Sequence, residues 1–173
     1  MIHRSPANAL LIRLLRGVLL IAALAQPRTA DAADPFTPFT LKTLEGAPQS
    51  LADVQGKATL VVFFFPTCPY CNAAFPSIQR LHDAYKDRGL STVWINIVPD
   101  EEPLIAGWRS THRYTVPVLL GGRATQNDYK LVMTPTHYLL DAQGRVLSKH
   151  AGYKAGDEKG LEKNIRRALA LTP

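Results

Sequence analysis

FFFPTCPYCNAAFP, residues 63–76, holds both cysteines of the 173-residue chain, Cys68 and Cys71, with Pro69 and Tyr70 between them. On its N-terminal side it closes an apolar run, Ala58 to Phe65, bounded by Gly56-Lys57 and Pro66. Such a run, rich in β-branched and aromatic residues, predicts a strand buried on both faces. On the C-terminal side Ala74, Ile78, Leu81 and Tyr85 recur at helical spacing, and Gly89 supplies a stop. The spacing predicts a helix of about five turns, with Pro76 kinking it because proline cannot donate to the carbonyl of residue 72. The two cysteines therefore open a long helix directly after a central strand, where α/β proteins commonly place function.

Three-residue spacing on a first helical turn brings two sulfurs to one side, close enough to form a disulfide with little backbone movement. The free N–H groups and positive dipole end of the helix favour a thiolate at Cys68, and Pro69 suits the first turn because its missing N–H costs nothing there. Cys68 is then the nucleophile, and Cys71 is placed to attack the mixed disulfide that results. Two other readings stand beside this one. As a structural bridge, so short a loop removes little unfolded-state entropy. As a zinc site, the pair needs further ligands, and no second cysteine pair or closely spaced histidine pair supplies them.

Farther out, Phe39–Lys42 and the region around Ser50-Leu51, separated by Glu45-Gly46, read as paired extended segments. Thr92–Val98 reads as a second buried strand, so strand, helix and strand make one parallel crossover unit. Pro103–His112 is expected to be helical. Val116–Leu120 and Thr136–Leu140 are short strands, the latter joined through Asp141-Ala142-Gln143-Gly144 to Arg145–Lys149 as an antiparallel hairpin. Leu161, Ile165, Ala168 and Leu169 form the apolar face of a C-terminal helix with basic residues on its other sides. Trp94 and Trp108 read as core aromatics and His137 as a strand histidine.

The N-terminus has the form of an address. Arg4, Arg13 and Arg16 precede an apolar stretch from Gly17 to Ala25, followed by the small-x-small site Ala30-Asp31-Ala32. Residues 1–32 are expected to be a cleaved signal peptide and residues 33–173 one domain in an oxidising compartment. The apolar stretch is too short to span a bilayer, and no stable membrane insertion is expected after cleavage. Losing Arg4, Arg13, Arg16, Arg28 and Asp31 lowers the net charge from +6 to +3. Much of the basic character thus belongs to targeting, and no basic run with interleaved aromatics points to nucleic acid.

FFFPTCPYCNAAFPSIQRLHDAY (63–85) together with VMTPTHYLLDAQGRVLSKHAGY (132–153) resembles the thioredoxin superfamily, and within it the extracytoplasmic TlpA/ResA-like thiol-disulfide oxidoreductases. The resemblance runs from about Phe39 to the C-terminus. It implies an α/β, thioredoxin-like fold: a central mixed β-sheet flanked by helices, with an N-terminal β extension. It also implies that Cys68 attacks and Cys71 resolves, and that Pro135 is a cis-proline facing them. The backbone of Thr134 would pair with an extended substrate segment, and Pro69 and Tyr70 would touch it. No bound cofactor is implied.

The implied activity is periplasmic disulfide exchange with protein thiols and disulfides, tilted toward reduction. Apocytochrome c is an implied client, and a membrane thiol-electron transporter an implied source of electrons. The chain departs from the family pattern in having Thr67 where Trp usually precedes the first cysteine, with a hydroxyl suited to capping the helix. It also has Ala74 where many relatives carry a buried acid, which leaves the proton acceptor of Cys71 unassigned. Two alternatives are a thiol peroxidase and a copper-binding carrier using Cys68, Cys71 and His137.

Overall fold

A computed structural model describes residues 34–171. The expected signal peptide, residues 1–32, lies outside them, and the described residues belong to one compact unit. Among the described residues seven strands make one mixed sheet in the order β2-β1-β5-β4-β3-β6-β7. The strands are β1 (Thr40–Thr43), β2 (Pro48–Ser50), β3 (Ala58–Phe64), β4 (Leu90–Asn96), β5 (Val118–Leu120), β6 (Thr136–Asp141) and β7 (Val146–Ala151). The helices are α1 (Pro69–Tyr85), α2 (Glu102–His112), α3 (Gly122–Asp128) and α4 (Asp157–Ala168). This is the mixed, helix-flanked sheet that the resemblance implies, and β1 and β2 form its N-terminal hairpin extension at one edge.

β3 is buried along its whole length because it lies between β4, parallel to it, and β6, antiparallel. Alternate side chains serve two cores. Leu60, Val62 and Phe64 pack with Phe75, Ile78, Leu81, Trp108, Leu161 and Ile165 of helices α1, α2 and α4. Val61 and Phe63 face the opposite side, against Phe36, Phe39, Leu51, Val54 and Leu131. α1 runs unbroken through Pro76 and gives way to a 3₁₀ turn, Lys86–Arg88, before Gly89 at φ +107° ends it.

Some element bounds differ from the sequence reading, and one helix is new. β4 covers Leu90–Asn96 rather than 92–98, because its register against β3 begins at the pair Ala58 and Leu90. β5 starts at Val118, after Pro117, whose carbonyl accepts from the Trp94 N–H at 2.9 Å. α3 has no counterpart in that reading: GRATQND lacks an apolar stripe and buries only Thr125.

Candidate active site

Two elements meet at the end of β3. The loop after it turns on the Cys68 N–H, which donates to the Phe65 carbonyl at 3.1 Å, and α1 starts with the Asn72 N–H donating to the Cys68 carbonyl at 3.0 Å. Cys68 is the helix N-cap, and Pro69 is the first helical residue. Thr67 is exposed, and the capping role expected of it falls to the Cys68 sulfur. That sulfur accepts from the Cys71 N–H at 3.2 Å, so the sulfur itself takes one of the helix's unpaired donors. A second donor comes from across the sheet, the Thr134 hydroxyl at 3.3 Å. The Thr134 carbonyl oxygen lies 3.7 Å from the same sulfur.

The Thr134–Pro135 peptide bond is cis. Its loop is held by the Thr136 hydroxyl, which donates to the Met133 carbonyl at 2.7 Å, and by the Gly152 N–H, which donates to the Pro135 carbonyl at 2.8 Å. Asn72 tethers the loop before Cys68: its amide donates to the Pro66 carbonyl at 2.9 Å and accepts from the Trp108 indole N–H at 2.8 Å. Trp108 sits in an aromatic cluster with Phe64, Phe75 and Trp94. The cap is thus braced against the dense half of the core.

The thiols are not open to solvent at large. Cys68 is 3% exposed and Cys71 fully buried. Burial, and Cys68 beside it, push the Cys71 thiol well above the usual range. Beside Thr134 lies an apolar rim of Tyr70, 64% exposed, and Met133. Tyr70, Met133, Thr134, Gly152 and Tyr153 line a groove of about 580 Å³.

The structure therefore brings Cys68, Cys71, Thr134 and Pro135 together and sets Pro69 and Tyr70 on the exposed side of the helix start. It does not bring His137 into a metal-binding group with the two sulfurs. His137 is buried in β6 and lines a cavity with Ala74, and among the described residues no group of three His, Cys, Asp or Glu side chains is placed to hold a metal. The copper-carrier arrangement is not formed. Asn72 and Met133 are singled out by no spacing rule, because none picks a polar residue inside a helix or an apolar one on a loop.

Residues 31–165 match the family described as Redoxin. The thioredoxin-like protein YneN of Bacillus subtilis is 33% identical over 116 residues, 66% of this chain and 68% of that protein. The sporulation thiol-disulfide oxidoreductase A of the same organism is 26% identical over 132 residues, 73% of this chain and 79% of its own length. Among solved structures, a putative thiol:disulfide interchange protein DsbE from Chlorobium tepidum superposes with a TM-score of 0.73 at 25% identity, covering 82% of this chain and 99% of that one.

Proposed function

Because the chain belongs to the redoxin family, as one of its thiol-disulfide oxidoreductases, we propose that it exchanges disulfides with other proteins through Cys68 and Cys71, as a reductant working outside the cytoplasm. The observation that carries this reading is the Cys68 sulfur at the helix cap, with the Cys71 N–H and the Thr134 hydroxyl both aimed at it. Hydrogen-bond donors converging on one sulfur are what a thiolate nucleophile requires.

Cys68 attacks one sulfur of a client disulfide and forms a mixed disulfide, releasing the client's other sulfur as thiolate. Cys71, held in the same first turn, attacks the Cys68 sulfur. The Cys68–Cys71 bond forms, the bond to the client breaks, and the client leaves as a second thiolate. The groove beside Thr134 suits an extended client segment pairing by main-chain hydrogen bonds while Tyr70 and Met133 cover its side chains. Pro69 and Pro135 shape the walls. Residues 1–32 act as a cleaved signal peptide for export to the periplasm, apocytochrome c haem-binding cysteines are a client, and electrons arrive from a membrane thiol transporter.

The experiment that tests the exchange reading is a trap. Cys71→Ala should accumulate mixed disulfides with exported proteins, and recovering none would remove protein clients. Direction is tested by equilibrating the pair in glutathione or dithiothreitol buffers. A potential of about −120 mV, that of a strong oxidant, would overturn the reductant role. Normal c-type cytochrome maturation in a deletion strain would remove that client.

A further inference from the structure

Cys71 must shed its thiol proton each time it attacks, since the thiolate is the nucleophile, yet its burial opposes that loss. Neither the helix that carries it nor the strand before it sets a carboxylate beside it. α1 places Ala74 one turn beyond Cys71 on the same buried face, its own acid, Asp83, lies about three turns farther along, and β3 carries no ionisable residue. Behind Ala74 is a cavity of about 20 Å³ whose lining includes Pro135, His137, His150 and Asp157, room for about one water.

Strand register builds this cluster. β6 sets His137 beside Val62 of β3, on the face that α1 covers, and opposite His150 of β7. The two imidazole rings lie 5.1 Å apart between centroids. His150 Nε2 is 3.0 Å from Asp157 Oδ2 at the start of α4. His137 is 9% exposed, whereas the His150 and Asp157 side chains are 44% and 29% exposed. The series therefore runs from the buried side of α1 to solvent, and His150 and Asp157 also border the groove proposed for the client.

We propose that His137, His150 and Asp157 form a proton relay that carries the Cys71 thiol proton to solvent and returns it, in place of the carboxylate this chain lacks at position 74. The relay rests on the exchange reading above. In the resolving step the Cys71 proton passes through a water in the cavity to one ring nitrogen of His137, while the other ring nitrogen passes a proton toward His150. The Cys71 sulfur, now carrying the electron pair, bonds to the Cys68 sulfur. The client sulfur leaves with the pair of the broken bond, and the proton on His150 goes to solvent or to that client thiolate. Reduction of the Cys68–Cys71 disulfide runs the same path backwards.

The surroundings suit a conduit rather than a store. α1 contributes only Ala74, Ser77 and Ile78 to the cavity, and α4 contributes Asp157, Glu158 and Leu161. Lys149 of β7 borders the cluster from outside. Burial, with His150 adding to it, lowers the His137 imidazole to about 4, so it does not keep a proton at neutral pH. The Asp157 carboxylate is held below its usual range, chiefly by the Lys154 N–H and also by His150. It therefore stays ionised beside the ring where the proton emerges.

The test uses the reduced full-length protein and dithiobis(nitrobenzoate), followed by stopped flow. The first nitrothiolate is released when Cys68 attacks and the second when Cys71 resolves. His137→Leu, close in volume and apolar in a buried place, should slow the second phase about 10- to 100-fold, with the first phase as internal reference. Its second phase should then climb about tenfold per pH unit as hydroxide takes over the deprotonation, where the native protein is flatter. A purely structural role for His137 would not produce that change of profile. His150→Gln, at an exposed position, should slow the second phase in dilute buffer and recover when imidazole is added. Unchanged second phases in both variants overturn the relay while leaving exchange intact. A native protein that shows no second phase overturns the exchange reading and the relay with it.

Discussion

The front and the rear of the helix start treat charge in opposite ways. At the front, the Cys68 sulfur receives two hydrogen bonds and sits beside an open groove. At the rear, Cys71 and His137 are buried, and burial pushes the thiol up and the imidazole down, against the charged form in each case. The difference teaches that one helical turn can gather hydrogen-bond donors on a sulfur on one side and, on the other, bury a thiol and an imidazole in their neutral forms. A proton must then travel out of an enclosed place whenever the second sulfur acts.

Removing the front sulfur should have the largest effect. Cys68→Ala is expected to reduce disulfide exchange to the background of the uncatalysed thiol reaction, because Cys71 alone is fully buried and holds its proton. Reduction of a protein disulfide followed by turbidity or thiol release measures this. If Cys71 alone sustained exchange, the front and rear would not differ as described.

The rear is expressed most directly in acid stability. The unfolded chain takes up the His137 proton near the ordinary value of 6.5, whereas the folded protein resists until about 4. Between those pH values the unfolded state binds more protons, so stability falls as pH falls through that window and stops falling, on this account, below it. The loss amounts to about 3 kcal/mol when fully developed. Urea titrations at pH 7 and at successively lower pH measure it, and His137→Leu should remove that part of the slope. A variant as acid-sensitive as the native protein would place the titration elsewhere.

How much of this could be read from the chain follows the same division. The front is local: Cys68, Pro69, Tyr70 and Cys71 are contiguous, β3 and α1 announce themselves by their apolar patterns, and Thr134 and Pro135 came through family resemblance. The rear depends on register. A hairpin over 136–149 was legible, but a bulge between Leu139 and Leu140 shifts the pairing so that Leu140 meets Val146 while His137 meets His150. One residue of slip would send a side chain to the other face, and no turn signal encodes it. The tether from Trp108 through Asn72 to Pro66 was hidden for a similar reason, since it joins residues 36 apart whose meeting depends on how α2 packs on α1. α3 left no trace because its burial is confined to Thr125.

A smaller effect is expected from Thr134→Val, which keeps the shape of the side chain and deletes the hydroxyl donor at 3.3 Å from Cys68. A hydrogen bond to a charged acceptor contributes about 1.5–3 kcal/mol, and the Cys71 N–H remains in place, so the lower figure applies. The rate of Cys68 alkylation by iodoacetamide at neutral pH should fall about tenfold. Equal rates would mean that the helix N–H alone supports the sulfur, and that the front owes nothing to the loop opposite it.

Tyr70→Ala sharpens the comparison from the solvent side. The ring is 64% exposed and stands at the edge of the groove rather than in the core, so the folding free energy should change by no more than about 0.5 kcal/mol. Its contribution is to cover a client segment. An exposed aromatic contact of this kind is worth about 1 kcal/mol, which predicts a several-fold rise in KM for a protein disulfide with kcat nearly unchanged, and a smaller change for a small aliphatic disulfide that does not reach the rim. A fall in kcat instead would move Tyr70 from the rim to the sulfur chemistry, because a residue that only holds the client cannot alter the step in which Cys71 displaces it.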